Sequence, residues 1–310
     1  MNEIGRKIAD KLIEINGSTN FSIAFLPYKR SMWDCMESVY EECKSSGIEA
    51  HCMPIPYLRL KENKQIDYID SDYEYFGDIA EPIEKLHNPR FIVIHYQYDG
   101  NNKVTGMLPE FYTDALKEKY RAEIVFIPYG IPYGGLSIRH QRIQPGLINV
   151  DWYFLHSAEE RLGFIKDWKS VGLDLTDRVF GFGNPKIDAM HKLKKEIKGD
   201  VTLVATSLSA MIRDPYERIN IYRQIVAREN EKGRIVIFRP HPLLETTIKS
   251  MCPEIQPHYE RLLSKLSTIC IIDKSEYLEK ALGNADRLIC DPSSLIELWK
   301  ETGKPYEVIE

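Results

Sequence analysis

Residues 285–299 have the sequence ADRLICDPSSLIELW, in which an apolar run is followed by a proline–serine turn and an amphipathic segment. The run Arg287–Cys290 predicts a buried strand, and the spacing of apolar residues over 293–301 predicts a helix. Pro292 suits the turn because its φ is already fixed and it has no amide proton to leave unpaired. A strand joined to a helix by so short a turn is the repeating unit of a parallel α/β sheet.

The same alternation fills the first half of the chain. The first 16 residues predict an amphipathic helix. Further helices are predicted near residues 31–46, 78–86, 108–120 and 158–170. Strands are predicted at residues 21–26, 49–53, 91–95, 123–128, 151–155 and 178–182. Strands that alternate with helices of this length imply parallel βαβ units with helices on both faces of the sheet.

A lysine-rich stretch, residues 188–200, predicts a solvated linker helix, and the alternation restarts after it. The strands predicted there are residues 201–206, 234–238, 268–272 and 287–290, and the helices are 215–231, 253–265, 275–282 and 293–301. The restart predicts two Rossmann-like parallel-sheet domains facing a cleft, an acceptor-side domain over residues 1–190 and a nucleotide-donor-binding domain over 191–310.

Composition and charge exclude several classes of protein. The 310 residues are 43 % hydrophobic, which is enough for two globular cores. A net charge of −5 argues against a nucleic-acid binder, which usually carries a basic face. No apolar run approaches the roughly 18 residues that cross a bilayer, and the first residues of the given sequence are not followed by the apolar stretch typical of a signal peptide. The six cysteines form no C-x-x-C pair, so we expect reduced thiols in a cytoplasmic protein with at most peripheral contact at the inner face of a membrane.

The turn into the last helix is a candidate phosphate site. Backbone amides at a helix start attract phosphate oxygens, and the hydroxyls of Ser293 and Ser294 add donors. Glu297 lies one turn further on, where its carboxylate could accept both hydroxyls of a ribose. Asp291 belongs either to this ligand site or, like Ser293, to an ordinary helix cap.

Two other strand ends of the second half carry polar side chains. Arg239 and His241 follow the strand 234–238, and the two prolines on either side of His241 stiffen the turn. An arginine fork can clamp a diphosphate, and a histidine can donate to it or shuttle a proton. Thr206 and Ser207 follow the strand 201–206, where they either contact phosphate or cap the next helix. The carboxyl ends of parallel strands share one edge of the sheet, so these residues are candidates for one ligand site.

In the first half, His95 ends a strand and Asp99 lies four residues further on. His95 is a candidate base for the acceptor hydroxyl, with Asp99 orienting the ring and raising its pKa. The alternative is a His–Asp pair that only stabilises its loop. Tyr129 lies in the loop after the next strand and is a second candidate catalytic residue.

Several motifs together resemble the CDP-glycerol glycerophosphotransferase (teichoic acid polymerase) family. In the second half these are Arg239-Pro240-His241-Pro242 and residues 285–299 followed by Gly303-Lys304-Pro305. The segment 183–188 is similar to the junction between that family's domains. Short motifs of one subgroup of this family are similar to residues 25–29, 31–34, 54–57, 98–105 and 127–129.

The resemblance implies a GT-B fold whose C-terminal domain holds CDP-glycerol. It also implies transfer of glycerol phosphate, without metal or another cofactor, to a hydroxyl of a cell-wall or capsular polymer or of a lipid-linked acceptor. The family's histidine in the first motif corresponds to His241, and its paired serines correspond to Ser293 and Ser294.

The sequence departs from the family at two places. Pro128-Tyr129-Gly130 stands where the polymerases have Trp-His-Gly, so the expected acceptor-side histidine is absent, and a tyrosine is a poor base at neutral pH. The chain also ends soon after Gly303-Lys304-Pro305, which predicts a shortened C-terminal end for a GT-B protein. Two alternatives therefore stay open: a GT-B glycosyltransferase or epimerase that uses a UDP-sugar, and a non-catalytic nucleotide-binding paralogue.

Overall fold

A computed structural model describes residues 2–60, 65–71, 73–102, 105–275 and 278–309. These residues divide into two compact units, a first unit that extends to His191 and a second unit from Lys192 onward.

The first unit is built on a parallel sheet. Its strands are β1 (Ser22–Phe25), β2 (Glu49–Cys52), β3 (Tyr57–Leu60), β4 (Ile66–Ile69), β5 (Phe91–Ile94), β6 (Thr105–Met107), β7 (Glu123–Phe126), β8 (Trp152–Leu155) and β9 (Val179–Gly181). Its helices are α1 (Glu3–Asn16), α2 (Glu37–Ser45), α3 (Tyr73–Phe76), α4 (Thr113–Tyr120), α5 (Arg139–Arg142), α6 (Ala158–Lys169) and α7 (Lys186–His191). The parallel sheet has the strand order β2-β1-β5-β7-β8-β9.

Alternate side chains along these strands enter two separate apolar clusters. One cluster contains Ala24, Ile92, Ile94, Ile124 and Phe126. The other contains Ile23, Phe25, Phe91, Val93 and Val125. The sheet is therefore covered on both faces, which is why its central strands β1, β5, β7 and β8 are mostly apolar in the sequence.

Helix α1 is fixed to the first unit by a residue far along the chain. The carboxylate of Asp188 accepts hydrogen bonds from the amides of Ile4 (3.2 Å) and Gly5 (2.8 Å), at the start of α1. Asp188 is 1 % exposed, and it occupies the position at which an acidic group best complements the helix dipole. A Cβ built on Gly5 would lie 2.5 Å from the backbone of Ser38, so only glycine permits this approach of α1 to α2.

A small antiparallel sheet, in the order β4-β3-β6, also belongs to the first unit. The sequence did not predict it, because only parallel strands were expected. The motif at residues 98–105 ends in Thr105, the first residue of β6. Residues 103 and 104 of this motif lie outside the described part of the chain.

The second unit repeats the parallel architecture. Its strands are β10 (Val201–Ala205), β11 (Ile235–Arg239), β12 (Ile271–Ile272), β13 (Arg287–Cys290) and β14 (Tyr306–Val308). Its helices are α8 (Leu208–Arg213), α9 (Pro215–Glu231), α10 (Leu244–Met251), α11 (Gln256–Leu266), α12 (Leu278–Asn284) and α13 (Leu295–Lys300). All neighbouring strands in the order β12-β11-β10-β13-β14 are parallel. The two parallel sheets confirm the predicted α/β class.

Two predicted helices are wrong. Residues 78–86 form two short 3-10 turns, Gly77–Ile79 and Ile83–Lys85, because Pro82 lies between them and cannot continue a helix. In the linker, helix α7 ends at His191. Beyond it the amides of Glu196 and Ile197 donate to Asn284 Oδ1 (2.8 and 2.7 Å) instead of to helix carbonyls.

Other boundaries shift or were missed. Helix α10 and strand β14 were not predicted, and the predicted helix 293–301 begins only at Leu295. The predicted helix 275–282 corresponds to α12, and its residues 276 and 277 lie outside the described residues.

Candidate functional site

The carboxyl edge of the second sheet contains a reversal of strand order. From β10 the chain moves to β11 and β12 on one side of the sheet and then returns to β13 on the other side of β10. In open α/β sheets ligands bind beyond the carboxyl ends of the strands at such a reversal, because the two outgoing loops diverge there and leave a crevice. The loops that begin at Thr206 and at Asp291 flank this point.

Asp291 ties these two loops together from the inside. Its Oδ2 accepts hydrogen bonds from the amide of Ser207 (2.7 Å) and from the hydroxyl of Tyr222, while its Oδ1 pairs with Arg218 (3.2 Å). The side chain is fully buried. Burial raises the pKa of the Asp291 carboxyl, against the opposing effect of its hydrogen bonds from Tyr222 and Ser207 and of the Arg218 charge.

The sequence suggested two roles for Asp291, a ligand contact or a helix cap. The geometry of its carboxylate fits neither role. Its oxygens are occupied by three protein donors, and Ser294 rather than Asp291 or Ser293 occupies the N-cap position of α13. The arrangement positions two loops.

The loop after β10 is also joined to the loop after β11. The Thr206 hydroxyl accepts a hydrogen bond from the amide of His241 (3.1 Å). Ser207 caps α8 through the amide of Ala210 (3.1 Å), so the capping alternative is confirmed for this residue. Strand β10 therefore lies between two neighbours whose outgoing loops are both hydrogen-bonded to its own.

His241 is held in one tautomer. Its Nδ1 accepts a hydrogen bond from the amide of Leu243 (3.2 Å), so the neutral ring carries its proton on Nε2. Burial, and then the positive charge of Arg239, lower the pKa of His241. The imidazole is thus kept neutral and can donate from Nε2, whereas protonation would break the bond to Leu243.

His241 lines a cavity of about 220 Å³. Lys274, Ser275, Glu245 and Tyr259 line the same cavity, and Lys274 Nζ lies 2.9 Å from Glu245 Oε2. Sequence reasoning missed all four. The available signal was that residues 273–275 directly follow a predicted strand, as Arg239 and Thr206 do.

Arg239 does not point its guanidinium at open space. It forms an ion pair with Asp273, and its Nη2 donates to the carbonyl of Ser275 (2.9 Å). The residue is 5 % exposed. The same group that the sequence suggested as a diphosphate clamp therefore holds the loop that forms one wall of the cavity.

The serine turn after β13 is partly open to solvent. Ser293 is half-buried and Ser294 is exposed. Their amides donate to no acceptor within the described ranges, so two backbone donors are available there. Glu297 lies one turn further on, and its carboxylate is 3.0 and 3.1 Å from Lys300 Nζ.

In the first unit, His95 follows β5 and is fully buried. Its ring stacks on Tyr28 with the ring centroids 4.6 Å apart, and Tyr129 approaches it edge-on at 6.4 Å. Neither ring nitrogen has a hydrogen-bond partner among the described residues. Burial, followed by the charges of Lys186 and Lys29, lowers the pKa of His95 to about 3.

The expectation that Asp99 orients His95 and raises its pKa is wrong. Asp99 Oδ2 instead accepts a hydrogen bond from the hydroxyl of Thr113 (3.4 Å), and burial raises the pKa of Asp99 to about 6. Tyr129 is 39 % exposed, and partial burial raises its pKa as well. Its loop is anchored by the side-chain amide of Asn184, which donates to the carbonyl of Pro128 (2.8 Å).

The structure thus brings Thr206, Ser207, Arg239, His241 and Asp291 together at one sheet edge, with Ser293, Ser294 and Glu297 on the turn after β13. In the first unit it brings His95 to Tyr129. No helix within the described residues is long and apolar enough to cross a membrane.

Comparison of the sequence with protein-family models and with curated proteins finds no match. Solved structures do resemble the chain. The UDP-GlcNAc 2-epimerase from Methanocaldococcus jannaschii is 13 % identical, with 93 % of this chain and 83 % of that chain covered and a TM-score of 0.56. The UDP-GlcNAc 2-epimerase from Neisseria meningitidis, bound to UDP-GlcNAc, is 14 % identical over 93 % and 82 % of the two chains, with a TM-score of 0.55.

A third similar structure is that of the wall teichoic acid polymerase TagF soaked with CDPG. It is 12 % identical, 97 % of this chain and 72 % of that chain are covered, and the TM-score is 0.51. At these identities the likeness concerns the fold alone. Together with the two parallel sheets it confirms the predicted fold class, α/β of the GT-B type.

Proposed function

We propose that the second unit binds the diphosphate of a nucleotide-linked donor at the carboxyl ends of β10, β11 and β13. The observation that carries this proposal is the reversal of strand order at β10. There the His241 amide donates to the Thr206 hydroxyl and the Ser207 amide donates to Asp291, which fixes both neighbouring loops. A diphosphate needs donors whose positions are set before it arrives, because ordering them on binding would cost affinity.

The groups at this edge are hydrogen-bond donors, which suits the binding of an anion. His241 offers a neutral Nε2–H, and the serine turn offers the amides of Ser293 and Ser294. Lys274 lies at the cavity wall, where it is paired with Glu245. In this proposal Arg239 and Asp291 are positioning residues, and Glu297 is the acceptor for ribose hydroxyls.

We further propose that the donor is CDP-glycerol and that the protein is a transferase. The acceptor hydroxyl oxygen would bond to the phosphorus that carries glycerol, and the bond from that phosphorus to the bridging oxygen would break, releasing CMP. A donated hydrogen bond from His241 to the departing phosphate would stabilise the charge that develops on it. The acceptor would be a cell-wall or capsular polymer or a lipid-linked hydroxyl compound.

A nucleotide-binding protein without turnover is the second candidate, and one observation favours it. The acceptor-side base of the first unit would be His95 or Tyr129. A ring whose pKa is about 3 accepts a proton poorly at pH 7, and the pKa of Tyr129 is displaced in the direction that also makes its deprotonation harder.

Calorimetric titration of the full chain with CDP and with UDP tests the binding site. We expect CDP to bind, and binding of UDP alone would point to a UDP-sugar donor instead. Failure of both nucleotides to bind would refute the site itself. Release of CMP from CDP-glycerol, followed by ³¹P NMR with a glycerol phosphate oligomer as acceptor, then separates a transferase from a protein that only binds.

A further inference from the structure

A second cavity, of about 290 Å³, lies between α9 and α11 of the second unit. Each helix lines it with residues at positions i, i+3, i+4 and i+7, the spacing that puts side chains on one helical face. These residues are Tyr216, Ile219, Asn220 and Arg223 on α9 and His258, Arg261, Leu262 and Lys265 on α11.

The lining carries positive charge that the protein does not neutralise. Arg223, Arg261 and Lys265 all face the cavity, and no aspartate or glutamate lines it. Within the described ranges none of the three forms an ion pair. By contrast, Arg218 and Arg228 on the same helix α9 are both paired with carboxylates. Three cations held around one cavity repel each other, and a bound anion would relieve that repulsion.

The uncharged residues of the lining form the floor and one end of the cavity. Leu262 is 3 % exposed, and together with Ile219 it makes the floor apolar. Tyr216 and His258 meet edge to face with ring centroids 5.1 Å apart and close the cavity where both helices begin. The volume is larger than a single phosphate needs, and the two arginines can each bind phosphate oxygens in a bidentate manner.

This cavity is separate from the proposed donor site. Tyr259 of α11 lines the donor cavity, whereas its neighbour His258 lines the second one. Helix α9 likewise uses different faces for the two places. Arg218 and Tyr222 contact Asp291, and neither lines the second cavity.

We propose that the cavity between α9 and α11 is a second binding site, for a phosphorylated small molecule that carries at least two phosphate groups. The proposal does not depend on the donor being CDP-glycerol. The site would bind by charge and shape, since its cations come from two helices that are already packed together.

The test uses inorganic pyrophosphate as the probe and the full chain with the double change His241→Ala and Lys274→Gln, which removes the donor-cavity groups. In this background we expect saturable binding in calorimetry, and the ring signals of His258 should shift in NMR during the titration. Adding Arg223→Gln and Arg261→Gln should weaken binding about tenfold, the combined effect of two exposed charge pairs. Higher salt should weaken it as well.

The matched control adds Lys194→Gln and Lys198→Gln, which remove the same charge from exposed positions that line neither cavity. It should bind pyrophosphate like the background protein. Equal weakening in both pairs, an unmoved His258 signal or no binding at millimolar pyrophosphate would each overturn the site. Inorganic phosphate should bind more weakly than pyrophosphate, and equal affinity would overturn the requirement for two phosphate groups.

Discussion

Each parallel sheet has a histidine just beyond one of its strands, and the two side chains are held in opposite ways. His241 in the second unit has its amide bonded to Thr206 and its Nδ1 bonded to Leu243. His95 in the first unit is fully buried against the Tyr28 ring, and neither nitrogen has a partner among the described residues. Both pKa values are lowered by burial, but only His241 combines its neutral state with a defined tautomer.

The difference lies in how far the polar groups at each strand end are ordered by the protein itself. At β10 and β11 each polar group has a partner that fixes its direction, so little ordering remains to be done when a ligand binds. At β5 the polar ring is surrounded by aromatic side chains, which stabilise packing and penalise charge. We therefore assign ligand binding to the second unit first and treat His95 as the weaker candidate.

The largest effect is expected from Asp291→Ala. This change tests whether the stability of the second unit depends on the hydrogen bonds to the buried Asp291 carboxylate. The change leaves the guanidinium of Arg218 buried without its carboxylate, and it should lower the free energy of unfolding by about 3–5 kcal/mol. Urea denaturation measures it. Asp200→Ala is the control, because its side chain is 52 % exposed and its pair with Arg234 should contribute under about 1 kcal/mol. A loss no greater than the control's would show that Asp291 is not the tie.

A pH series tests the other side of the comparison. Because the pKa of His95 is about 3 in the folded protein and about 6.5 when unfolded, the unfolded chain takes up the proton first as the pH falls. The stability from this group is complete above about pH 6.5 and is lost towards pH 3. Between pH 7 and 4 the wild type should lose about 3 kcal/mol more than His95→Phe, which keeps the aromatic stacking.

The control for this series is His87→Asn, which removes an exposed ring and should retain the wild-type pH dependence. Parallel stability curves for the wild type and His95→Phe would mean that the ring is not held neutral by burial.

The next effect concerns nucleotide affinity. His241→Ala should weaken CDP binding by about 1.5–3 kcal/mol, the range for a hydrogen bond to a charged group, and His241→Gln should recover part of it by offering an amide donor. Calorimetry measures both, with His191→Ala, an exposed ring at the end of α7, as the control. If His241→Ala binds CDP as the wild type does, the histidine at β11 is no better prepared for an anion than the one at β5.

The smallest effect is expected from Thr206→Val, which removes only the acceptor that fixes the amide of His241. The loss of one neutral hydrogen bond should weaken CDP binding by about 1 kcal/mol. Thr268→Val is the matched change, since the Thr268 hydroxyl only donates to the Lys265 carbonyl at the end of α11. An affinity loss in the Thr268 variant as large as that of Thr206→Val would mean that preorganisation at this loop is unimportant.

The parallel sheets could be predicted because their strands are buried on both faces. Val201–Ala205, for instance, has five buried residues in succession, and only Thr202 interrupts its apolar run in the sequence. The antiparallel sheet could not be predicted in this way. Ile66–Ile69 alternates between exposed and half-buried residues, and its place depends on pairing with another short strand rather than on its own composition.

The predicted strand ends located the candidate residues at the carboxyl edge of the second sheet. The roles of these residues, however, depend on partners that are distant in sequence. Arg239 pairs with Asp273, and Asp291 bonds to Ser207 and Arg218, 84 and 73 residues away. No local pattern contains such pairs. The wall formed by Lys274 and Ser275 is different, since these residues directly follow the predicted strand 268–272 and a local signal for them was present in the sequence.

The Asp188 carboxylate at the start of α1 has a consequence for the order in which the protein acquires its structure. Ile4 and Gly5 are synthesised well before Asp188, since the group that accepts their amide hydrogen bonds is encoded 184 and 183 positions later. At about 5–20 residues per second, synthesis of that interval takes roughly 10–40 s. During translation the first helix must therefore wait for its cap, so we expect the first unit to complete its folding only after residue 188 has been released from the exit tunnel.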